Sequence, residues 1–253
     1  MKNIIILMVI IVNFKSFAQQ NRVLEYSFQD KDGNISNSTL YIVKNESLYR
    51  IDDKRENGVD EKNFGVVNND EISKLFFSND SISYTRIPLY KNEIIYKQPI
   101  IMSKFLFTGK TKKINNFNCQ EAKLELNGRS YNIWFTADVE INKGPYKING
   151  LPGLIVEINE QSSKVKIKLK KIKKLNDISI FEKYKNYILS KHVLEYSEYD
   201  VKITDILKLR KVSGIAKVKE MGGSVQFDEN QSFYTQFLID IPTNLISELQ
   251  KIN

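Results

Sequence analysis

Hydrophobic and polar residues alternate with period two along much of this chain. From Arg22, the apolar residues Leu24, Tyr26 and Phe28 alternate with Glu25 and Ser27, the pattern of a strand with one buried face. Asp30-Lys31-Asp32-Gly33-Asn34 punctuates the pattern as a turn, and Thr39 to Val43 and Leu48 to Ile51 resume strand character. The turn's acids resemble the opening of a calcium loop. The sixth loop position, which needs glycine, is however Ile35, so a hairpin turn is the better reading. Asp52 to Asn63 is almost wholly polar and is expected to be an exposed loop. Between Phe64 and Phe107, the short apolar runs Ile72 to Phe77, Ile82 to Ile87 and Ile94 to Tyr96 predict further strands. Thr108-Gly109-Lys110-Thr111 looks like the tail of a phosphate-binding loop, but Lys104 stands where the partner glycine belongs, which rejects the match.

The clearest local prediction is a hairpin over Asn118 to Thr136. Two alternating runs flank Asn127-Gly128, a dipeptide suited to a two-residue turn with positive φ at both positions. Such a turn sets Leu126 opposite Arg129, Leu124 opposite Tyr131, Ala122 opposite Ile133 and Gln120 opposite Phe135, and this is the expected core face. The other face is polar except for Cys119 and Trp134 near its open end, so a further element should cover that end. Farther on, Val165, Ile167 and Leu169 alternate with Lys164, Lys166, Lys168 and Lys170. Two readings stand for these lysines. One is a solvated sheet face whose charges discourage edge pairing; the other is a contact patch for anionic lipid or polysaccharide.

The pattern changes at about Asp177. Phe181, Tyr184, Ile188 and Lys191 follow helical spacing, and Ile203 to Leu209 predicts a second short helix. Val212 to Asp240 returns to β-like sequence, and Pro242 is expected to end its last strand. The expected fold class is therefore mainly β (α+β): a curved antiparallel sheet with one or two helices in the C-terminal half.

Gly144 to Ile158 concentrates the residues that specify backbone geometry, with Gly144-Pro145, Gly150 and Pro152-Gly153. Leu151-Pro152-Gly153-Leu154 suits a type II turn, and Leu154, Val156 and Ile158 then begin a strand that can return beside the lysine-rich one. The stretch is either a corner locking the Trp134 hairpin to the next strands or an exposed docking loop.

Composition narrows the setting. The chain opens Met-Lys-Asn, continues with the apolar run Ile4 to Val12 and reaches Ser16-Phe17-Ala18, which predicts a signal peptide over residues 1–18 and a single β-rich domain over 19–253. Export to the periplasm or cell surface follows as an expectation, with no transmembrane segment in the mature chain. Removing Lys2 and Lys15 lowers the formal charge from +8 to +6. A nucleic-acid partner is not expected for such a protein, whereas an anionic surface is a reasonable one. A lone Cys119 permits no internal disulfide and reads as a buried core thiol.

Candidate chemistry is sparse. His192 is the one histidine, at a helix end, and the sequence holds no Gly-x-Ser-x-Gly, His-Glu-x-x-His or Cys-x-x-Cys. Acid pairs such as Glu121 and Glu125, or Asp138 and Glu140, are too common to indicate glycosidase chemistry. No catalytic residue, metal site or cofactor is assigned. With 13 tyrosines and 14 phenylalanines, the aromatics either build the core or line a groove for an apolar ligand, and Tyr131, Trp134 and Phe135 are the candidates to face one.

Gly150-Leu151-Pro152-Gly153-Leu154-Ile155, with Gly128-Arg129-x-Tyr131, Trp134-Phe135-Thr136 and Gly144-Pro145-Tyr146-Lys147 in order before it, resembles the GLPGLI family of exported proteins of Bacteroidota. The chain departs from the family's frequent Ile-Pro after the Trp-containing strand, having Val139-Glu140-Ile141-Asn142 there. The resemblance implies export and no established activity, and the architecture it implies is somewhat like periplasmic lipoprotein-carrier folds. On that footing the expected functions are a non-enzymatic carrier of an apolar or lipidic ligand, an accessory factor binding an envelope protein during outer-membrane transport or assembly, or a hydrolase using carboxylates or His192.

Overall fold

A computed structural model describes residues 21–30, 33–52, 74–89, 92–100, 103–126, 129–161 and 165–220. The expected signal peptide, nearly all of the polar loop at 52–63, Asn127-Gly128, Lys164 and the sequence beyond Glu220 lie outside the described residues. Twelve strands form one sheet: β1 (Arg22–Gln29), β2 (Ile35–Val43), β3 (Glu46–Ile51), β4 (Lys74–Ser78), β5 (Ile82–Leu89), β6 (Asn92–Pro99), β7 (Phe105–Ile114), β8 (Phe117–Leu126), β9 (Arg129–Thr136), β10 (Leu154–Glu160), β11 (Lys166–Lys174) and β12 (Leu194–Glu195). Two helices follow the eleventh strand, α1 (Ser179–Leu189) and α2 (Tyr196–Glu220).

The strand order β12-β6-β5-β4-β3-β2-β1-β11-β10-β9-β8-β7 resolves into two meanders, one running β1 to β6 and the other β7 to β11, joined where β1 pairs with β11. Every ladder is antiparallel except the short parallel pairing of β12 with β6. This topology obliges the sheet to curl. Pro99 at the end of β6 and Phe105 at the start of β7 lie near opposite edges of the sheet, yet only six residue steps separate them. Six steps reach roughly 20 Å, whereas ten inter-strand spacings of a flat sheet would measure roughly 48 Å. The two edges must therefore approach one another across a concave face.

That concave face holds the larger core. Leu24, Tyr26, Leu40, Tyr49 and Phe76 from the first meander pack with Ala122, Ile133, Ile158 and Ile167 from the second. Among the described residues, helices cover the opposite, convex face only over the first meander. There Phe181, Tyr184 and Ile188 of α1 pack on Tyr41, Leu48, Leu75, Phe77 and Ile95. Helix α1 carries these apolar residues at helical spacing as expected, and the Asp177 carboxylate accepts the Ser179 N–H at 2.8 Å at its start. Polar staples fix the helix to the sheet: Lys185 reaches Glu46, and the Tyr187 hydroxyl donates to Glu93, which also takes the Arg86 guanidinium at 2.6 Å.

The hairpin of β8 and β9 has the expected register, with Leu126 opposite Arg129, Ala122 opposite Ile133 and Gln120 opposite Phe135. Its second face is also buried at the Cys119 and Trp134 end, where the Lys112 ammonium of β7 lies 4.1 Å from the centre of the Trp134 ring.

Three sequence readings are corrected. The lysine-bearing strand β11 lies between β1 and β10, so its charges face solvent without guarding an edge. The predicted short helix at Ile203 to Leu209 belongs to the 25-residue α2, which runs through Glu220 and so replaces the β-like reading of 212–220. Its first turns are anchored by Tyr199 and Ile203, both fully buried, and tertiary docking at that end outweighs the weak apolar periodicity beyond it. Finally, Gly153 has φ of 158°, which is not the type II value near 80°. The position needs glycine because a Cβ there would stand 2.1 Å from the Thr136 carbonyl oxygen.

Candidate functional site

A concavity of about 490 Å³ lies where the curled sheet nearly closes. Its floor comes from the first meander. Cross-strand register puts Phe76 of β4, Thr85 of β5 and Tyr96 of β6 in one row on the concave face, and Ser78, Ser83 and Gln98 in the next. Strand pleating thus makes a stripe with two rings beside a stripe of short neutral polar groups. The polar stripe is internally bonded: Ser78 shares a 2.8 Å hydrogen bond with Ser47, and the Ser83 hydroxyl donates to the Gln98 carbonyl at 3.3 Å. Across the gap, Leu124 and Leu126 of β8 supply an aliphatic wall.

The roof is the segment between β9 and β10, residues 137–153. It leaves the sheet at Thr136, crosses the concave face to the first meander and returns to begin β10. Tyr146 meets Phe76 edge-on at 4.5 Å between ring centres, and the Lys143 ammonium donates to the Asn79 carbonyl at 3.3 Å. Lys147 donates to the Tyr96 hydroxyl and lies 4.7 Å from the centre of its ring. The far side of the Tyr96 ring network is closed by α2, whose Tyr199 stacks on Tyr96 at 4.0 Å.

Backbone geometry explains the glycines of this segment. A Cβ at Gly144 would lie 2.3 Å from the Ile148 carbonyl oxygen, and Gly150 has φ of 98° while its N–H donates to Asn142 at 3.0 Å. Tyr146 itself has φ of 64°, a left-handed conformation costly for a side chain of its size, maintained where its ring seats on Phe76.

Each residue singled out from the sequence can now be placed. Gly144, Pro145, Tyr146, Leu151, Gly153, Leu154 and Ile155 are buried, Gly150 is half-buried, and Pro152 is exposed. The segment is packed inward as a corner, and Tyr146 is the member of the motif that lines the cleft. Tyr131 and Phe135 point to the concave face and are buried in the core, while Trp134 lies on the convex face beneath Lys112; none of the three lines the cleft. Lys166, Lys168 and Lys170 lie on β11, away from the cleft. Burial pushes the Cys119 thiol pKa up, and its sulfur sits 3.6 Å from the Phe117 carbonyl, the setting of a core cysteine. His192 is exposed just beyond α1. Among the described residues, no cluster of His, Cys, Asp and Glu side chains could hold a metal ion.

The cleft residues that sequence reading missed are Phe76, Tyr96, Gln98, Leu126 and Lys147. Tyr96 sits in an unbroken apolar run, where alternation gives no sign of which face a residue takes, and Lys147 looks like any other surface lysine until the loop is placed. A usable signal was present in the five-residue gap between the strands ending at Pro99 and beginning at Phe105.

A protein family described as "N-glycanase peptide, N-terminal domain" matches residues 66–198, more than half of the chain. The chain belongs to this N-glycanase N-terminal domain family. The match begins before β4 and runs into α2, so it contains every residue lining the cleft. Among solved structures, this member of the family is similar to PNGF-II in a C2 crystal, with 19% identity over 70% of this chain and a TM-score of 0.47. The same protein in a P21 crystal gives 18% identity over 70% of this chain and a TM-score of 0.46. The chain spans 31% of the length of PNGF-II. An uncharacterized conserved protein from Thermus thermophilus matches with 8% identity, 70% of this chain, 91% of its own length and a TM-score of 0.39. No curated protein matches this chain.

Proposed function

We propose that the chain is a non-enzymatic binding module of the cell envelope whose concave cleft takes an apolar or lipidic ligand. The observation that carries this reading is the cleft itself: a 490 Å³ concavity with aromatic residues on its floor and roof and two leucines on its wall. Export and the GLPGLI resemblance of Gly150 to Ile155 are part of the same proposal, since both concern where such a ligand would be met.

One observation favours a second reading. The stripe of Ser78, Ser83 and Gln98 beside Phe76 and Tyr96 is neutral and rich in hydrogen-bonding groups, which suits a ligand carrying hydroxyl or amide groups as well as apolar faces. The family's description names an N-glycanase, so the sugar-bearing part of a glycopeptide is the corresponding ligand class.

The two readings separate in one set of measurements on the purified chain. Extraction followed by mass spectrometry shows whether lipid copurifies. Thermal shift with lysophospholipids and with N-linked glycopeptides then shows which class stabilises the fold. A lipid-loaded protein whose lysophospholipid shift disappears in Leu126→Gln supports the first reading. A glycopeptide shift that disappears in Gln98→Ala supports the second. If neither class shifts the melting of the native chain, the cleft is not a binding site.

A further inference from the structure

The convex face of the second meander differs from that of the first, because among the described residues no helix packs on it. One row of in-register residues crosses it and continues onto the adjoining strands β1 and β2 of the first meander: Leu106, Lys123, Asn132, Asn159, Lys166, Gln29 and Ile35. This row contains no acid. Its two ends are apolar side chains left in solvent, Ile35 at 57% and Leu106 at 67% exposure.

Of the neighbouring rows, one carries the exposed Glu125, whose carboxylate meets the Ser130 hydroxyl, and the other carries acids that lie low. Glu157 is 12% exposed while Lys168, 3.6 Å away, is 57% exposed. Glu121 is 7% exposed and Lys110 above it is 69% exposed. The Glu157 carboxyl shows the consequence. Partial burial raises its pKa, but the Asn159 amide and the Lys112 and Lys168 ammoniums outweigh burial, and the net shift is downward. On that row both carboxylates lie beneath lysines, and on the face as a whole the exposed ammonium groups of Lys110, Lys123 and Lys168 outnumber the one exposed carboxylate beside them, Glu125.

We propose that this face lies against an anionic lipid bilayer. The lysines match lipid phosphates through electrostatic attraction, each contributing roughly fivefold to partitioning near an anionic surface. Exposed Leu106 and Ile35 select the partner. A soluble polyanion would engage the lysines and leave both apolar side chains in water, whereas a membrane interface accommodates both kinds of group. Because the sheet is curved, the middle of the row, Lys166 and Lys123 on β11 and β8, makes the primary contact, and Leu106 at the edge strand adds a smaller one.

Co-sedimentation of the purified chain with vesicles tests this, using phosphatidylcholine alone and phosphatidylcholine mixed with phosphatidylglycerol. The native chain should partition onto the anionic vesicles only, and less at high salt. Combined Lys123→Gln, Lys166→Gln and Lys168→Gln should lower partitioning roughly a hundredfold. Its melting should stay near native, because Lys123 and Lys168 are exposed and Lys166 is half-buried at the surface. Leu106→Ser should weaken it several-fold at every salt concentration, while Leu126→Gln in the cleft should leave it intact. Equal binding to both vesicle types, or no binding to either, overturns the proposal. So does unchanged binding by the triple variant, or loss of binding in Leu126→Gln, which would put the lipid in the cleft. Capture of dextran sulfate without vesicle binding would make the partner a soluble polyanion and likewise overturn it.

Discussion

The two meanders are made of the same kind of strand and bury their residues in different ways. In the first, α1 covers the convex face while the other meander covers the concave one, so consecutive residues are buried, as in Leu75-Phe76-Phe77 of β4 and Ile94-Ile95-Tyr96 of β6. In the second, no described helix packs on the convex face, and away from the Cys119 and Trp134 end burial alternates: Val165, Ile167 and Leu169 are buried, whereas Lys168 and Lys170 are exposed. The difference teaches where function can reside. A sheet face covered on both sides is committed to stability, and the surfaces left for recognition are the gap where the curled edges approach and the uncovered convex half.

The sharpest way to break this contrast is to remove the helix's grip. Phe181→Ala deletes a fully buried ring that meets Phe77 at 6.3 Å, and should cost about 3–5 kcal/mol in denaturant unfolding. If it costs less than about 1 kcal/mol, α1 is not a covering layer and the two meanders are energetically alike. Next in size is the corner that joins β9 to β10 within the second meander. Gly153→Ala forces a Cβ against the Thr136 carbonyl and should destabilise by about 2–3 kcal/mol, while Pro152→Ala at the exposed neighbouring position should change stability by less than about 0.5 kcal/mol.

A smaller effect concerns the staple at Glu93, which is specific to the covered meander. Burial raises the Glu93 carboxyl pKa, but hydrogen bonds from Tyr187 and Arg86 and the charges of Arg86 and Lys191 outweigh it and hold the pKa below its usual value. A depressed carboxyl stabilises the fold above its unfolded pKa, and that contribution is lost as pH falls through the folded value. Glu93→Gln should therefore lower stability by about 1–2 kcal/mol at neutral pH and flatten the acid limb of a stability–pH curve, with the gap closing in acid. An unaltered acid limb would show that the staple carries no ionic weight. The smallest expected change is in the open meander, where Lys168→Ala should stay within about 0.5 kcal/mol of native stability despite its ion pair with Glu157.

The same contrast governs what could be read from the sequence. The open meander was legible: its alternation gave the β8–β9 register and the buried face of β11, because one-sided burial writes itself as period two. The covered meander gave strands without faces, so Phe76 and Tyr96 could not be assigned to a cleft before the topology was known. The ligand-facing candidates of the legible hairpin lie outside the cleft: Tyr131 and Phe135 pack into the concave core, and Trp134 is buried on the convex face beneath Lys112. The glycine–proline segment was legible as a corner, yet its span across the concave face was not. That span depends on Tyr146 meeting Phe76, a contact between residues 70 positions apart for which neither supplies a local signal.

The pairing of β1 with β11 has a consequence for the order of folding. Among the described strands, residues 22–29 are synthesised first, and their partners at 166–174 come after nine others have been made. Each meander can zip along its own consecutive hairpins, but the ladder that unites them closes a loop of well over a hundred residues, and closures of that kind slow folding. Until it forms, β1 offers an unpaired edge to the surroundings. A chain interrupted before Lys166 would keep that edge open and should aggregate, whereas a chain that extends through Lys174 seals it with β11.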